Sequence, residues 1–295
     1  MRRREFLTAT AGALALVGCA RHRLADASPT PAAGPPGAPA TATAAGGGSA
    51  SIAGPAAGTA ATRGGPAEIL QRSTVPALCY HQVREHSAAD SGGARSLICP
   101  PAVLEGHLRA LTQAGMQPVT STQLVDHLEW GSPLPPRPVM ISFDDASAGH
   151  FTAALPILQR LEIPATFFVM TVVLDKPGWL SRDQVRRLDQ AGMTIGVHTW
   201  DHHRVTTYTG PDWARQLERP KAELEDLVGH RLEMFAYPYG AWNTAALPHV
   251  QQTGYRAAFQ LTDQPPDPQR PLFTIRRVLT SSSWDTGTLL DRLHS

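Results

Sequence analysis

The chain has 295 residues, with 26 Lys and Arg against 25 Asp and Glu, and therefore a formal net charge of +1. This balance gives no support for a nucleic-acid partner or an anionic membrane surface, because either would favour an excess or clusters of basic residues. Its three cysteines are too few for a disulfide scaffold. The composition thus excludes a membrane channel, a basic nucleic-acid binder and a Cys-rich mini-protein.

Residues 1–19 are predicted to be an export signal. The arginines at positions 2–4 precede an uncharged, mostly apolar run from Phe6 to Gly18, which is too short to span a bilayer. Residues 3–7 resemble a twin-arginine signal, and the end of the apolar run resembles a bacterial lipobox in which Cys19 is lipidated. We therefore expect export and a lipid anchor as the only membrane contact, at the cell membrane or envelope. An ordinary signal peptide with a chance cysteine is the alternative.

Residues 20–72 consist almost entirely of Ala, Pro, Gly, Ser and Thr. Such a stretch cannot bury enough apolar surface to offset the entropy of ordering it, so it is predicted to be a disordered tether. Residues 73–295 remain, and they are enough for one sizeable domain with its own core.

In this domain, short apolar runs alternate with helical patterns. Helices are predicted at 101–115, 122–130, 152–161 and 183–191, and a longer one at 212–228 should be kinked or split by its proline. This alternation is typical of a parallel sheet or barrel, and seven strands favour barrel-like closure. The predicted strands are Val75–Tyr80, Pro138–Phe143, Ala165–Thr171, Thr194–Val197, Met234–Tyr237, Arg256–Gln260 and Phe273–Leu279.

Chemically capable residues follow three of these strands directly. Asp144 and Asp145 follow the second, His198 follows the fourth, and Tyr239 lies just past the fifth. In parallel α/β barrels the carboxyl ends of the strands form the rim on which active sites are built.

Two histidines four residues apart, His198 and His202, can share a metal ion. Alone this spacing is a weak signal, and so is a pair of acids at a strand end, because paired acids often cap helices. Together, one carboxylate and two histidines make a set with open coordination positions that suits Zn²⁺ or another divalent transition metal. The other carboxylate would be free to act as a base on a water molecule.

Three motifs in order give a resemblance to a known family. The segment Ser142–Asp145 resembles the Thr/Ser-Phe-Asp-Asp motif of polysaccharide deacetylases, the NodB-homology or carbohydrate esterase family 4. His198–His202 matches its His-Ser/Thr-x-x-His motif, and Ala236–Tyr239 stands where that family has Arg-x-Pro-Tyr. The resemblance extends from about Val75 to about Trp284 and includes the opening Leu78–His81.

The resemblance implies a distorted (β/α)₇ barrel that removes N-acetyl groups from an amino-sugar polymer. It also implies that Asp145, His198 and His202 bind one divalent ion, Zn²⁺ first and Co²⁺ or Ni²⁺ as alternatives. Asp144 would be the base, and the backbone N–H of Tyr239 would stabilise the oxyanion.

The chain departs from the family pattern at three places. Ala146 replaces a common Gly, which would cost about 1 kcal/mol if the position needs φ > 0 and could tilt the preceding acid. Ala236 replaces the Arg that orients the base; Arg277 could supply that charge from the last strand, or could be a solvated strand-end residue. The late Leu-x-His motif that supplies the general acid is absent in that form.

His81 is therefore predicted to be the general acid, because it lies just past the first strand on the same rim. The resemblance to exopolysaccharide deacetylases supports this role, and a loop-binding histidine is the alternative, with His294 as the fallback acid. Trp242 is predicted either to stack on a sugar ring or to pack in the core. A disulfide between Cys79 and Cys99 is not favoured. Six other histidines are predicted to be solvated: His86, His107, His127, His150, His230 and His249.

The opening Tyr80-His81 and the Tyr237–Gly240 turn look most like the subgroup acting on poly-β-1,6-N-acetylglucosamine. Peptidoglycan and chitin-type oligomers are alternative substrates, as is O-deacetylation of xylan. A non-catalytic glycan-binding lipoprotein is an alternative of another class. Ala146 and Ala236 favour it, whereas the intact acids and histidines oppose it.

Overall fold

The computed structural model describes residues 62–261 and 264–293. The predicted signal with Cys19, the tether up to residue 61 and His294 lie outside the described residues. Within the described part of the chain, none of the helices combines the length and apolar character needed to cross a membrane.

The centre of the domain is a parallel sheet whose strands follow the order β10-β9-β8-β7-β6-β5-β1-β11, with β4 added beside β5. A separate parallel pair joins β2 and β3. All seven predicted strands are present, and the seventh is divided between β10 and β11. The strands are β1 (Ala77–Tyr80), β2 (Gln82–Val83), β3 (Ile98–Cys99), β4 (Gln117–Val119), β5 (Pro138–Phe143), β6 (Thr166–Val169), β7 (Thr194–Val197), β8 (Met234–Ala236), β9 (Ala257–Gln260), β10 (Ile275–Arg276) and β11 (Val278–Leu279).

The two ends of this sheet are consecutive in sequence. Ile275 of β10 pairs with Phe259, whereas Val278 of β11 pairs with Leu78, and only Arg277 separates β10 from β11. The backbone N–H of Arg277 donates to Gln260 O at 3.1 Å, so the chain itself joins one end of the sheet to the other. The result is a nearly closed barrel with helices around it, and the predicted barrel fold is confirmed.

The helices cover the sheet, and most strand residues are buried on both faces, which explains why the strands are continuous apolar runs. Helix α7 (Arg219–Val228) has Pro220 in its first turn and directly follows a π-helical turn at Ala214–Glu218, so the hydrogen-bond pattern of the predicted long helix changes just before the proline. The helices are α1 (Pro66–Arg72), α2 (Gly92–Arg95), α3 (Pro101–Gln113), α4 (Ser121–Trp130), α5 (Leu155–Arg160), α6 (Arg182–Gln190), α7 (Arg219–Val228), α8 (Leu247–Gln252) and α9 (Thr286–Leu293).

The predicted boundary between tether and domain at residues 72 and 73 is wrong. Helix α1 packs against α4 and its Ile69 is buried in the core. Upstream, Arg63 forms an ion pair with Glu129 at 2.7 Å, and the N–H of Gly64 donates to Glu129 O at 2.6 Å. The local helix signal of Pro66, with its fixed φ at the first helical position, was obscured by the Ala- and Gly-rich composition around it.

Candidate functional site

The predicted functional residues meet at one end of the barrel, on loops that follow β1, β5, β7 and β8. Much of this rim has left-handed backbone, which costs roughly 1 kcal/mol or more for each residue with a side chain. Ala146 is among these residues, with φ 68° and a fully buried side chain, so this position does need the conformation that glycine adopts most easily. The non-glycine rim residues with positive φ are Asp145, Ala146, Thr199, His202 and Tyr239.

The side chains of Asp145, His198 and His202 converge on one point. Their three ligand atoms all lie within 4.8 Å of one another. Asp145 Oδ1 is 3.3 Å from Nε2 of His198 and 3.3 Å from Nε2 of His202. Zn²⁺ bonds of about 2.0–2.1 Å at tetrahedral angles put neighbouring ligand atoms about 3.3 Å apart, so the spacing fits that ion.

Two of these atoms also lack a protein partner. Asp145 Oδ1 and His198 Nε2 are buried, and neither makes a hydrogen bond within the part of the chain that is described. Buried polar atoms are rarely left unsatisfied, because each costs about 1–3 kcal/mol. The donor set therefore fits a divalent cation that accepts nitrogen and oxygen ligands.

The turn that carries the two histidines is not helical. Thr199 and His202 both have positive φ, and Thr199 Oγ1 accepts a hydrogen bond from the His202 N–H at 3.1 Å. His198 Nδ1 contacts Ala236 O at 2.8 Å. That bond uses one ring nitrogen and leaves Nε2 facing Asp145. Because a backbone carbonyl makes it, Ala at position 236 serves as well as any other residue.

The protonation states of Asp145 and His202 suit ligands of a cation. Burial would raise the pKa of Asp145, but its contact with His198 and the nearby histidines outweigh that effect and hold the pKa at about 2. Burial and the neighbouring His198 lower the pKa of His202 to about 4. At neutral pH the carboxylate is ionised, and Nε2 of His202 is free to bind a cation.

Asp144 lies beside this group and has a different partner. The two terminal nitrogens of Arg277 each donate to one Asp144 oxygen, at 2.7 Å in both cases, and both side chains are fully buried. Arg277 also donates to Ser142 Oγ at 3.1 Å. Burial would raise the pKa of Asp144, but the charges of Arg277 and His198 outweigh it and hold the pKa well below its usual range.

This contact excludes the alternative of a solvated Arg277. The side chain comes from the break between β10 and β11, which is the point where the barrel closes. A charge is thus brought to Asp144 from the closing segment of the barrel and not from β8, where Ala236 stands in place of the Arg of the family pattern.

His81 lies at the end of β1 and is buried, with 9% of its surface exposed. Nitrogen, oxygen and sulfur atoms of His81, Asp144 and Cys79 lie within 4.8 Å of one another. Nε2 of His150 contacts the His81 carbonyl oxygen. The structure thus brings His81 next to Asp144, as its position at the end of a strand predicts. The role of His81 in proton transfer stays a prediction.

Two of the six histidines predicted to be solvated are buried, so that prediction is wrong for His107 and His150. His150 is fully buried, 5.5 Å from the rings of both Phe143 and Phe167, and burial lowers its pKa to about 4. His107 contacts the Tyr80 hydroxyl at 3.3 Å. The signal for His107 was present in the sequence, because it lies on the apolar face of α3 beside Leu104, Leu108 and Leu111.

Tyr239 and Trp242, the two residues predicted to contact the substrate, differ in exposure. Tyr239 is 53% exposed and its ring centroid lies 4.5 Å from that of His202. Trp242 is partly buried against the core, and its indole N–H donates to Gln260 Oε1 at 2.8 Å. Cys79 and Cys99 are both buried free thiols.

The family model for polysaccharide deacetylase matches residues 131–258. This part of the chain is a polysaccharide deacetylase domain. Enzymes of this family hydrolyse the amide bond of N-acetyl groups. The matched range contains both acids, both histidines of the metal group and Tyr239, whereas His81 and Arg277 lie outside it.

The chain is also similar to individual known proteins. A poly-beta-1,6-N-acetyl-D-glucosamine N-deacetylase of Staphylococcus aureus (strain MRSA252) is 23% identical over 227 residues, covering 70% of this chain and 78% of that protein. The Streptococcus pyogenes deacetylase PplD in complex with acetate has a TM-score of 0.68 at 20% identity, covering 74% of this chain and 97% of that one. IcaB from Ammonifex degensii has a TM-score of 0.63 at 23% identity, covering 75% and 97%. The deacetylase domain therefore shares the fold of these structures.

Proposed function

We propose that this deacetylase is a metal-dependent enzyme that removes N-acetyl groups from an envelope or extracellular amino-sugar polysaccharide, with poly-β-1,6-N-acetylglucosamine favoured. The observation that carries the proposal is the pairing of two differently held acids. Asp145 has an oxygen without a hydrogen-bond partner that faces two histidines, whereas both oxygens of Asp144 accept hydrogen bonds from Arg277. The name of the Staphylococcus aureus relative supports the choice of polymer.

In this proposal Asp145, His198 and His202 hold one divalent ion, Zn²⁺ first and Co²⁺ or Ni²⁺ as alternatives. Asp144 accepts the proton of the attacking water. Because its pKa is low it is a weak base, and it needs a water whose own pKa has been lowered, which is the chemistry a bound divalent ion supplies. The two bonds from Arg277 fix both carboxylate oxygens, so the base is oriented before the substrate binds.

Two further groups complete the proposed reaction. The backbone N–H of Tyr239 donates to the oxyanion, in a turn stiffened by Pro238, which has no N–H of its own. His81 protonates the leaving amine as the tetrahedral intermediate collapses, from its position beside Asp144.

Acetate release by the purified protein tests the proposal. The substrates are oligomers of β-1,6-N-acetylglucosamine, chitin-type oligomers, peptidoglycan and acetylated xylan, each with and without a chelator. We expect release from the first, loss with chelator, and recovery with Zn²⁺ or Co²⁺. Metal binding without acetate release from any substrate would favour the non-catalytic glycan-binding alternative.

A pair of histidine variants tests the metal group. His198→Ala should lose both metal and activity. His203→Ala is the matched control, because its side chain lies in the same loop, is 71% exposed and pairs with Asp201 instead. Retention of one equivalent of zinc by His198→Ala would overturn the assignment of the ligands.

We also propose that the protein is exported and anchored by a lipid on Cys19. The support is the pattern of residues 1–19, namely the basic start, the short apolar run and the lipobox-like end. Cys19→Ser should release a soluble, exported and fully active protein, and failure of labelled fatty acid to enter the wild-type chain would contradict the anchor. Replacement of Arg3 and Arg4 by lysines should block export if the twin-arginine route is used.

A further inference from the structure

A cavity of about 300 Å³ opens to solvent next to the metal group. It shares His202 with that group, so a sugar bound there is a neighbour of the sugar whose acetyl group reacts. The residues around it are Asp201, His202, His203, Arg204, Thr207 and Tyr239.

Arg204 is held against the wall of this cavity. Its guanidinium carbon lies 4.2 Å from the centroid of the Tyr239 ring, and that ring lies 4.5 Å from the His202 ring. The Arg204 carbonyl accepts hydrogen bonds from the Thr207 N–H and hydroxyl, at 3.1 Å and 2.8 Å. Stacking on an aromatic face suits the flat guanidinium and restricts where its charge can lie, whereas the bonds from Thr207 hold only the backbone turn that carries it.

Arg204 forms no ion pair with the acid of this cavity. Asp201 is the acid there, and its Oδ1 already accepts from Gln216 at 2.8 Å and contacts His203 Nδ1 at 2.7 Å. Across residues 62–261 and 264–293, no carboxylate forms an ion pair with Arg204. Arg204, an exposed residue, therefore presents its positive charge to a sugar in the cavity without an ion-pair partner in the described part of the chain.

We propose that Arg204 is a specificity-determining residue that disfavours glucosamine, the amine product of deacetylation, in this cavity. The inference rests on the proposed function, because the reaction itself converts a neutral acetamide into an ammonium group. Repulsion between two cations in a partly solvated site is expected to lower the rate by about 3- to 10-fold. The enzyme would then act preferentially beside acetylated sugars and leave its products spaced along the polymer.

The test compares two substrates under conditions in which the sugar amine is protonated. One is a fully acetylated β-1,6-N-acetylglucosamine oligomer, and the other is the same oligomer with about half of its units chemically deacetylated. The readout is the ratio of kcat/KM per acetyl group, because a general loss of activity cancels in a ratio. We expect wild type to prefer the acetylated oligomer by about 5-fold, and high salt to reduce that preference.

Three variants separate the charge of Arg204 from other effects. Arg204→Gln should bring the ratio close to one, whereas Arg204→Lys should keep most of the preference because it keeps the charge. Arg219→Gln is the matched control: it removes one charge from an exposed position on α7 and should keep the wild-type ratio.

Results that contradict the inference can be told apart from results that contradict the proposed function. An unchanged ratio in Arg204→Gln, or an equal loss of preference in Arg219→Gln, would overturn the inference. Equal rates of the wild-type enzyme on both oligomers would overturn it and leave the proposed function standing. Inactivity of wild type on both oligomers would overturn the proposed function, and the inference with it.

Discussion

The two ends of the barrel both carry clustered charges, but they satisfy them differently. At the amino-terminal end of the strands, Arg256 donates to Asp126 and Glu129 at 2.5 Å each, and lies 3.7 Å from Glu233. Glu129 takes Arg63 on its other oxygen at 2.7 Å. We call these five residues the base cluster. Both oxygens of its most buried acid have cationic partners, which is the arrangement expected of groups that hold a structure together.

At the opposite rim, several buried groups lack partners. Among the described residues, the buried side-chain atoms without a hydrogen-bond partner include those of Asp145 and His198, and five of the eight non-glycine residues with positive φ lie on the rim loops. Such features cost stability and persist where a site uses them. The comparison therefore assigns structural support to the base cluster and chemistry to the rim. The unpartnered atoms are Asp145 Oδ1, His150 Nδ1, Thr171 Oγ1, His198 Nε2 and Arg277 Nε.

The largest expected effect separates the two acids of the rim. Asp144→Asn should keep the metal and lower turnover by about 10²-fold or more, because the amide cannot accept the proton. Asp145→Asn should lose the metal. Metal analysis and acetate release on both variants check this, and retention of metal by Asp145→Asn with its loss from Asp144→Asn would reverse the assignment.

The next largest expected effect concerns the general acid, His81. His81→Ala should keep the metal, lower turnover by about 10²-fold and remove the alkaline limb of the pH–rate profile, because the leaving amine loses its proton donor. The matched variant is His294→Ala, which removes the fallback acid. A near-normal rate for His81→Ala beside an inactive His294→Ala would move the acid to the carboxyl terminus.

A smaller effect compares Arg277 at the rim with Arg256 at the base cluster. Arg277 holds the pKa of Asp144 down, so Arg277→Gln should raise it. Asp144 acts as a base only when ionised, so the acid limb of kcat/KM against pH should move to higher pH. Arg277→Lys retains the charge, so the limb should move less. An acid limb that stays at the same pH in Arg277→Gln would show that the contact between Arg277 and Asp144 does not set the pKa of the base.

At the base cluster the same substitution should act on stability alone. Arg256→Gln removes one of the two cationic partners of Glu129, whose side chain is 4% exposed, and should lower the free energy of unfolding by about 2 kcal/mol. The shape of the pH–rate profile should not change. Thermal unfolding and a pH series on both arginine variants measure the contrast, and a displaced acid limb in Arg256→Gln would remove the distinction between the two ends.

The rim could be predicted from the sequence to the extent that chain position determines it. Asp144, His198 and His81 directly follow apolar runs, so parallel strands bring them to one edge whatever the details of packing. Arg277 could not be assigned on that basis, because its contact depends on where the last strand breaks. That break follows from closure of the barrel, which is a property of all the strands together and not of residues near Arg277.

Contacts between distant segments also explain why the burial of His150 and of helix α1 was predicted wrongly. His150 is polar and lies in a segment without strong apolar periodicity, yet three aromatic or backbone neighbours from separate strands enclose it. Helix α1 was missed for the opposite reason, because one buried residue, Ile69, is sufficient to dock a short helix whose surroundings have the composition of a linker. In both cases contacts between distant segments decided the outcome.

The smallest expected effect tests whether strain at the rim is needed. Ala146 has φ 68° and no exposed surface, so Ala146→Gly should relieve roughly 1 kcal/mol of backbone strain and give a slightly more stable protein. Ala154→Gly is the matched control, since Ala154 is equally buried but has helical φ, and there the same change should destabilise by about 1 kcal/mol. Chemical denaturation measures both signs. If Ala also tilts Asp145, the glycine variant should bind Zn²⁺ more tightly as well; equal destabilisation by both glycines would show that the buried methyl group at 146 stabilises the rim more than its backbone strain costs.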